Sequence, residues 1–240
     1  DLASSLALGI SIATKFFPIV LLIPVALICF RREEIQRFVS YLAITAGTFI
    51  LINLPYAITT PKGWWRFYSM NLNRGSDWGS VWYALSGLGV DLTHQNYLSI
   101  LCLAIGITAL IIYLLQLRKT PTLADTAVMI MIIVMAVSKV YSPQYVLWLA
   151  PLAVIALVDK RDIPIYWIWQ GAELLYHLAI WQHLATVTGA RFGLPVVAYS
   201  LATLIRIAAS LLIVVHLARR QRNSRVFPRE FLLSTGESYP

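Results

Sequence analysis

The chain has 240 residues, of which 59% are hydrophobic and only 12% charged, with a net charge of +8 and a mean hydropathy of +0.72. A soluble domain carries about 25% charged residues; half that amount cannot clothe a water-facing surface, so lipid is the expected solvent. The positive charge does not point to nucleic acid, because the basic residues sit in short loops between apolar runs, where they set membrane topology.

Seven apolar segments follow one another: A, about Leu2–Phe30; B, Phe38–Ile58; C, Asn96–Leu117; D, Leu123–Tyr141; E, Pro143–Val158; F, Ile163–Leu184; and G, Pro195–Leu217. A run of about 20 apolar residues spans the roughly 30 Å of hydrocarbon. At that depth only a helix satisfies its own backbone. The expected fold is therefore an all-α integral membrane bundle of about seven segments. Residues 1–217 form the transmembrane domain and 218–240 a basic cytoplasmic tail. The chain begins at Asp1 and enters an apolar run at once, with no signal peptide, and reads as a fragment lacking an N-terminal part.

Segment A carries Lys15 with Pro18 and Pro24, and segment E is short with Pro151. Broken helices at membrane depth are tolerated where they are buried in protein or line a cavity. The A/B loop holds Arg31, Arg32 and Arg37; the C/D loop Arg118 and Lys119; the E/F loop Lys160 and Arg161; the tail Arg219, Arg220, Arg222, Arg225 and Arg229. These are 12 of the 19 basic residues, and they lie on one side, which is expected to be cytoplasmic. The opposite B/C connection, about Thr59 to Gln95, is long. It contains TTPKGWWRFYSMNLNRGSDWGSVWYALSGLG, crowded by Trp64, Trp65, Phe67, Tyr68, Trp78, Trp82 and Tyr83. It reads as a helix in the outer interface with its rings at headgroup depth.

Ionisable groups within a bilayer mark a site or a buried pair. Lys15, about 22 Å from the inner end of A by helical rise, Arg74 in the outer loop and Lys139 at the outer end of D form a candidate anion site. Tyr141 and Gln144 lie beside Lys139. Glu173 in F and Arg206 in G fall at similar depth on consecutive antiparallel segments and read as an ion pair. His177 shares a helical face with Glu173 and leaves open a proton-handling dyad. Asp77 and Asp91 are outer carboxylates on loops. His94, His183 and His216 carry no particular signal. Cys29 and Cys102 read as small buried hydrophobes. No nucleotide loop, metal-ligand cluster, nucleophile elbow or internal repeat is present, so no cofactor and no metal are expected.

ALGISIATKFFPIVLLIPVALICFRR (Ala7–Arg32), SKVYSPQYVLWLAPL (Ser138–Leu152), WIWQGAELLYHLAIWQ (Trp167–Gln182) and LATLIRIAASLLIVVHLARR (Leu201–Arg220) resemble elements of the GT-C-type membrane glycosyltransferases of family 87, in the actinobacterial style. S-P-Q-Y-x-x-W-x-x-P is the more specific motif, K-x-x-P the weaker. The resemblance implies transfer of a sugar, mannose above all, from a polyprenyl-phosphate donor to a cell-envelope glycan or glycolipid on the non-cytoplasmic face. For that chemistry Lys15, Arg74 and Lys139 are the candidates for the donor phosphate, whose charge grows in the transition state, and Tyr141 and Gln144 for orienting sugar or phosphate. The acceptor hydroxyl requires a carboxylate base. The family places an aspartate in the first outer loop, and no residue here matches it. The base is expected upstream of Asp1, with Glu173, Asp77 and Asp91 as substitutes, and the 240 residues alone are expected to be inactive. A transporter or lipid-carrier flippase is the alternative, and a non-catalytic membrane scaffold a third reading.

Overall fold

A computed structural model describes residues 1–223, and these are all-helical. The helices are α1 (Leu2–Thr14), α2 (Leu22–Arg31), α3 (Ile35–Thr59), α4 (Pro61–Asn73), α5 (Val81–Gly87), α6 (Gln95–Leu115), α7 (Leu123–Val137), α8 (Val146–Ala156), α9 (Ile163–Val187) and α10 (Val196–Asn223). Short 3-10 turns at Phe17–Leu21, Pro143–Tyr145 and Lys160–Asp162 join neighbouring helices. Three helices, α3, α6 and α10, are long and apolar enough to cross a membrane; α1, the 17–31 stretch, α7 and the 143–156 stretch are apolar but shorter. The expected tail begins inside α10, which continues to Asn223; residues 224–240, with Arg225 and Arg229, lie outside the described residues.

Segment A differs from the expectation of one continuous span. At Lys15 the backbone is extended (φ −150°, ψ 121°), and Pro18 opens the 3-10 turn that follows. The helix α1 runs alongside α3 in the same direction. Tyr41 and Thr45 donate to the carbonyls of Ser4 and Ser5, and the Phe16 ring meets Phe49 at 6.4 Å. A Cβ on Gly9 would lie 2.6 Å from Thr48 Cβ, so the two helices are in close contact there. The chain then reverses through the 3-10 turn. Consequently Asp1 and Ser4 line one cavity with Cys29, Arg32 and Arg37, at the same end of the molecule. The first apolar run is thus a hairpin with Lys15 at its turn. Proline lacks a backbone donor and clashes within a helix interior, which is why the run bends here.

Two ends emerge. At the basic end, Arg31 donates from both terminal nitrogens to the carbonyls of Leu115 and Leu117, capping α6. There too, Arg220 joins Asp125, Asp162 and the Ala156 carbonyl. At the opposite, aromatic end, Lys139 reaches the 72–74 stretch and Asn96.

The core lies where α7, α9 and α10 meet. Val128, Met129, Ile130 and Ile132 of α7 pack with Trp169, Tyr176, Tyr199 and Ile213. Among its hydrophobic residues only Leu110 and Leu114 of α6 are fully buried, and α3 buries Thr45 alone. Their outward faces are apolar, with Leu51 75% and Ile100 67% exposed, as surfaces turned to lipid are.

Candidate functional site

The long B/C connection divides into two unlike helices. The first, α4, keeps Trp65, Phe67, Met70 and Leu72 exposed. Trp64 Nε1 donates to Asn53 Oδ1, tying α4 to α3. This matches a helix at a membrane surface. The second, α5, was expected in the same interface and is instead packed into the bundle: Trp82 and Ala84 are buried, and Trp82 Nε1 donates to the Val137 carbonyl. The turn before it enters the core. Tyr199 donates to the Trp78 carbonyl and Arg206 Nη2 to the Gly79 carbonyl, both at 2.9 Å. Tyr83 bonds His183 at 2.8 Å, and His183 stacks on Tyr199 at 4.4 Å. Burial of α5 follows from these polar anchors, which hydropathy does not register.

The three candidate cations occupy this aromatic end in different states. Lys15 is exposed, its ammonium 4.0 Å from the Trp148 ring centroid and 5.1 Å from that of Tyr145. Those two rings stack on each other at 4.3 Å, and Phe17 packs against both. The rings hold the cation from one side by cation–π attraction. No hydrogen bond consumes its three donors among the described residues. Arg74 pairs with Asp77 at 2.7 Å and remains partly exposed. Lys139 donates to the carbonyls of Leu72 and Arg74 and to Asn96 Oδ1, at 3.2, 2.8 and 2.9 Å. An ammonium has three donors, and all three are engaged here. The Asp77 amide returns a bond to the Lys139 carbonyl. Lys139 therefore clamps the end of α4 to the turn after α7.

Glu173 and Arg206 are both buried, at 3% and 2% exposure, but they do not form the direct ion pair expected of them. Tyr141 stands between them. Its hydroxyl donates to both Glu173 oxygens, at 2.9 and 3.1 Å, while the Arg206 guanidinium carbon lies 3.4 Å from its ring centroid. Trp169 Nε1 gives Glu173 a further bond. The aromatic ring is wide enough to hold the two charges apart, and its hydroxyl and its face serve one each. A small cavity of about 10 Å³ is lined by Glu173, Arg206, Tyr141 and Ser210. Arg206 Nε faces no partner. That space is about what one water molecule needs.

Glu173 is thus sequestered from any acceptor. Asp77 is held by Arg74 and caps the Trp78 amide. Asp91 is exposed and accepts from the amide and hydroxyl of Thr93. Gln144 is exposed, whereas Tyr141 is buried in the charge network. His177 shares the face of Glu173 but bonds its backbone: Nδ1 lies 3.2 Å from the Glu173 carbonyl oxygen. Cys102 is exposed on α6 and Cys29 half-buried, so neither is the buried hydrophobe expected.

A second polar cluster, at the basic end, escaped the sequence. Asp125 and Asp162 are buried, at 2% and 1% exposure. Arg220 bridges them, His216 Nε2 meets Asp162 Oδ1 at 2.6 Å, and Gln221 donates to Asp125. It fastens the last turns of α10 to the starts of α7 and α9. The spacing His216–Arg220 places both on one helical face, a usable signal. Their carboxylate partners lie 54 to 95 residues away and are not legible in sequence.

Among the described residues the architecture is all-helical, with three helices of membrane-spanning length and a polar cluster at each end. Compared with family models, with curated proteins and with solved structures, the chain matches none.

Proposed function

We propose that the protein is a polytopic membrane glycosyltransferase of GT-C type that moves a sugar, mannose by resemblance, from a polyprenyl-phosphate donor to an envelope glycan or glycolipid. On this reading the aromatic end is the non-cytoplasmic working face and the basic end is cytoplasmic. The single observation that supports it is Lys15: an ammonium set at the turn of a hairpin, backed by two stacked rings and with its donors free.

Transfer forms a bond from the acceptor oxygen to the sugar C1 as the bond from C1 to the phosphate oxygen breaks. A base takes the acceptor proton, and polyprenyl phosphate leaves with the added negative charge. Lys15 meets that charge, Arg74 exchanges part of its contact with Asp77 for the phosphate, and Lys139 holds the loop that carries Arg74. Membranes containing the intact protein, with the base expected upstream of Asp1, and a radiolabelled polyprenyl-phosphate mannose are the test. Lys15→Ala is expected to lower kcat by about 10²-fold, the scale for losing one charge-stabilising donor. Loss confined to acceptor KM would contradict the assignment.

A transporter or lipid-carrier flippase is favoured by one observation, the buried Glu173–Tyr141–Arg206 system. Movement of the labelled donor across proteoliposomes without sugar transfer would select it.

A further inference from the structure

Beside the segment that carries Tyr145 and Trp148, against which Lys15 rests, lies a groove of about 400 Å³. It runs between that turn and α9, and Ser142, Pro143, Gln144, Leu147, His177 and Trp181 line it. Its size falls in the range of small-molecule sites, about 300–1,000 Å³. Trp181 is 63% exposed, so a broad ring face is open to an occupant. Gln144 is exposed beside it, and His177 is half-buried.

The His177 ring has a defined polarity. A carbonyl oxygen only accepts, so the nitrogen facing the Glu173 carbonyl, Nδ1, carries the hydrogen in the neutral ring. Nε2 is then an unprotonated acceptor, and no other contact engages it among the described residues. A flat apolar face, an amide with two donors and one acceptor, a hydroxyl and an imidazole acceptor thus share one groove. An aliphatic chain would leave those polar groups unmatched at the membrane edge. An anion would face an imidazole lone pair with no cation lining the groove. The complementary class is a neutral ring with an apolar face and several hydroxyls. We propose that this groove binds a sugar ring, stacked on Trp181, with His177 Nε2 accepting from one of its hydroxyls and Gln144 bonding another.

This deepens the transferase reading and rests on it only for the choice of sugar, assigning the groove to the acceptor glycan. The test is saturation-transfer NMR on the chain in lipid nanodiscs, with methyl α-mannoside as probe and cyclohexylmethanol as an apolar ring of similar size. Saturation of the mannoside is expected, with Kd raised about fivefold in Trp181→Ala and about fivefold in His177→Phe. Trp181→Phe, which keeps a ring, should retain part of the affinity and guards against a folding defect in the alanine variant. No saturation in the wild type, equal saturation in Trp181→Ala, or equal dependence of cyclohexylmethanol on Trp181 would each overturn the sugar site. The two proposals fail separately. Mannoside binding without any transfer by the intact protein sinks only the transferase. Transfer whose acceptor KM ignores Trp181 and His177 sinks only the groove.

Discussion

Tyr141 is the element through which Glu173 and Arg206 act on each other, and removing its hydroxyl isolates that role. In Tyr141→Phe the ring remains beneath the Arg206 guanidinium, while Glu173 loses a donor to both oxygens and keeps only Trp169. A hydrogen bond to a charged group contributes about 1.5–3 kcal/mol, a neutral one about 0.5–1.5. Tyr141→Phe should therefore cost about 1.5–3 kcal/mol in the wild type and about 0.5–1.5 in a Glu173→Gln background. The difference, a coupling of about 1–1.5 kcal/mol, is roughly a tenfold change in the unfolding constant. Tyr141→Leu also removes the ring and should cost up to about 2 kcal/mol more by loss of the cation–π contact. Unfolding by sodium dodecyl sulfate in mixed micelles, followed by circular dichroism, measures all three. Additive losses for Tyr141→Phe and Glu173→Gln would refute the argument, since the hydroxyl would then be bonded to something other than a charged carboxylate.

Gly79→Ala should destabilise the aromatic end by about 1–3 kcal/mol from overpacking, because its Cβ would lie 2.2 Å from both the Tyr141 carbonyl oxygen and the Tyr176 hydroxyl; a thermal melt should show the loss. Arg220→Gln leaves two buried carboxylates without their shared cation, at about 3–5 kcal/mol. Adding Asp162→Asn should recover part of that loss of folded yield. With Gly75→Cys and Lys160→Cys, an impermeant thiol reagent outside cells should reach the first and miss the second; the reverse would overturn the proposed sidedness.

Hydropathy and loop charge made the helices legible, because each needs only local information: an apolar run, then basic residues. Segments B, C, D, F and G correspond to α3, α6, α7, α9 and α10 within a few residues. What escaped depends on contacts far apart in sequence. Trp78 and Trp82 have the composition of interface residues, like Trp64 and Trp65, but α5 is drawn inward by Tyr199, Arg206 and His183, which lie 100 to 127 residues later. The Glu173–Arg206 pairing was legible in depth but not in azimuth. Helical rise gives how far along the axis a charge lies, and nothing in either helix announces that a tyrosine from a third element will enter between them. Lys139 shows a related limit: a cation beside polar neighbours reads as a ligand site, while the carbonyls that consume its donors belong to a loop whose path the sequence does not give.

The hairpin at Lys15 yields the most decisive comparison between the two readings of the first apolar run. Its 29 residues are enough for one tilted span, and Pro18 and Pro24 would only kink such a span. A single span would set Ser4 and Glu33 on opposite faces of the membrane. In the structure α1 rises beside α3 for 13 residues, about 20 Å by helical rise and short of the roughly 30 Å of hydrocarbon. The chain then turns and descends through α2, so that Asp1 and Ser4 meet Arg32 and Glu34 around one cavity. Ser4→Cys and Glu33→Cys should accordingly be labelled from the same side, and Lys15→Cys, exposed at the turn, from the other. Labelling of Ser4→Cys and Glu33→Cys from opposite sides would restore the single span. It would also remove the turn itself; by helical rise Lys15 lies about 20 Å from the inner end on either reading, so the labelling decides whether its ammonium sits at an exposed turn or on a through-going helix, where it is costly without a partner.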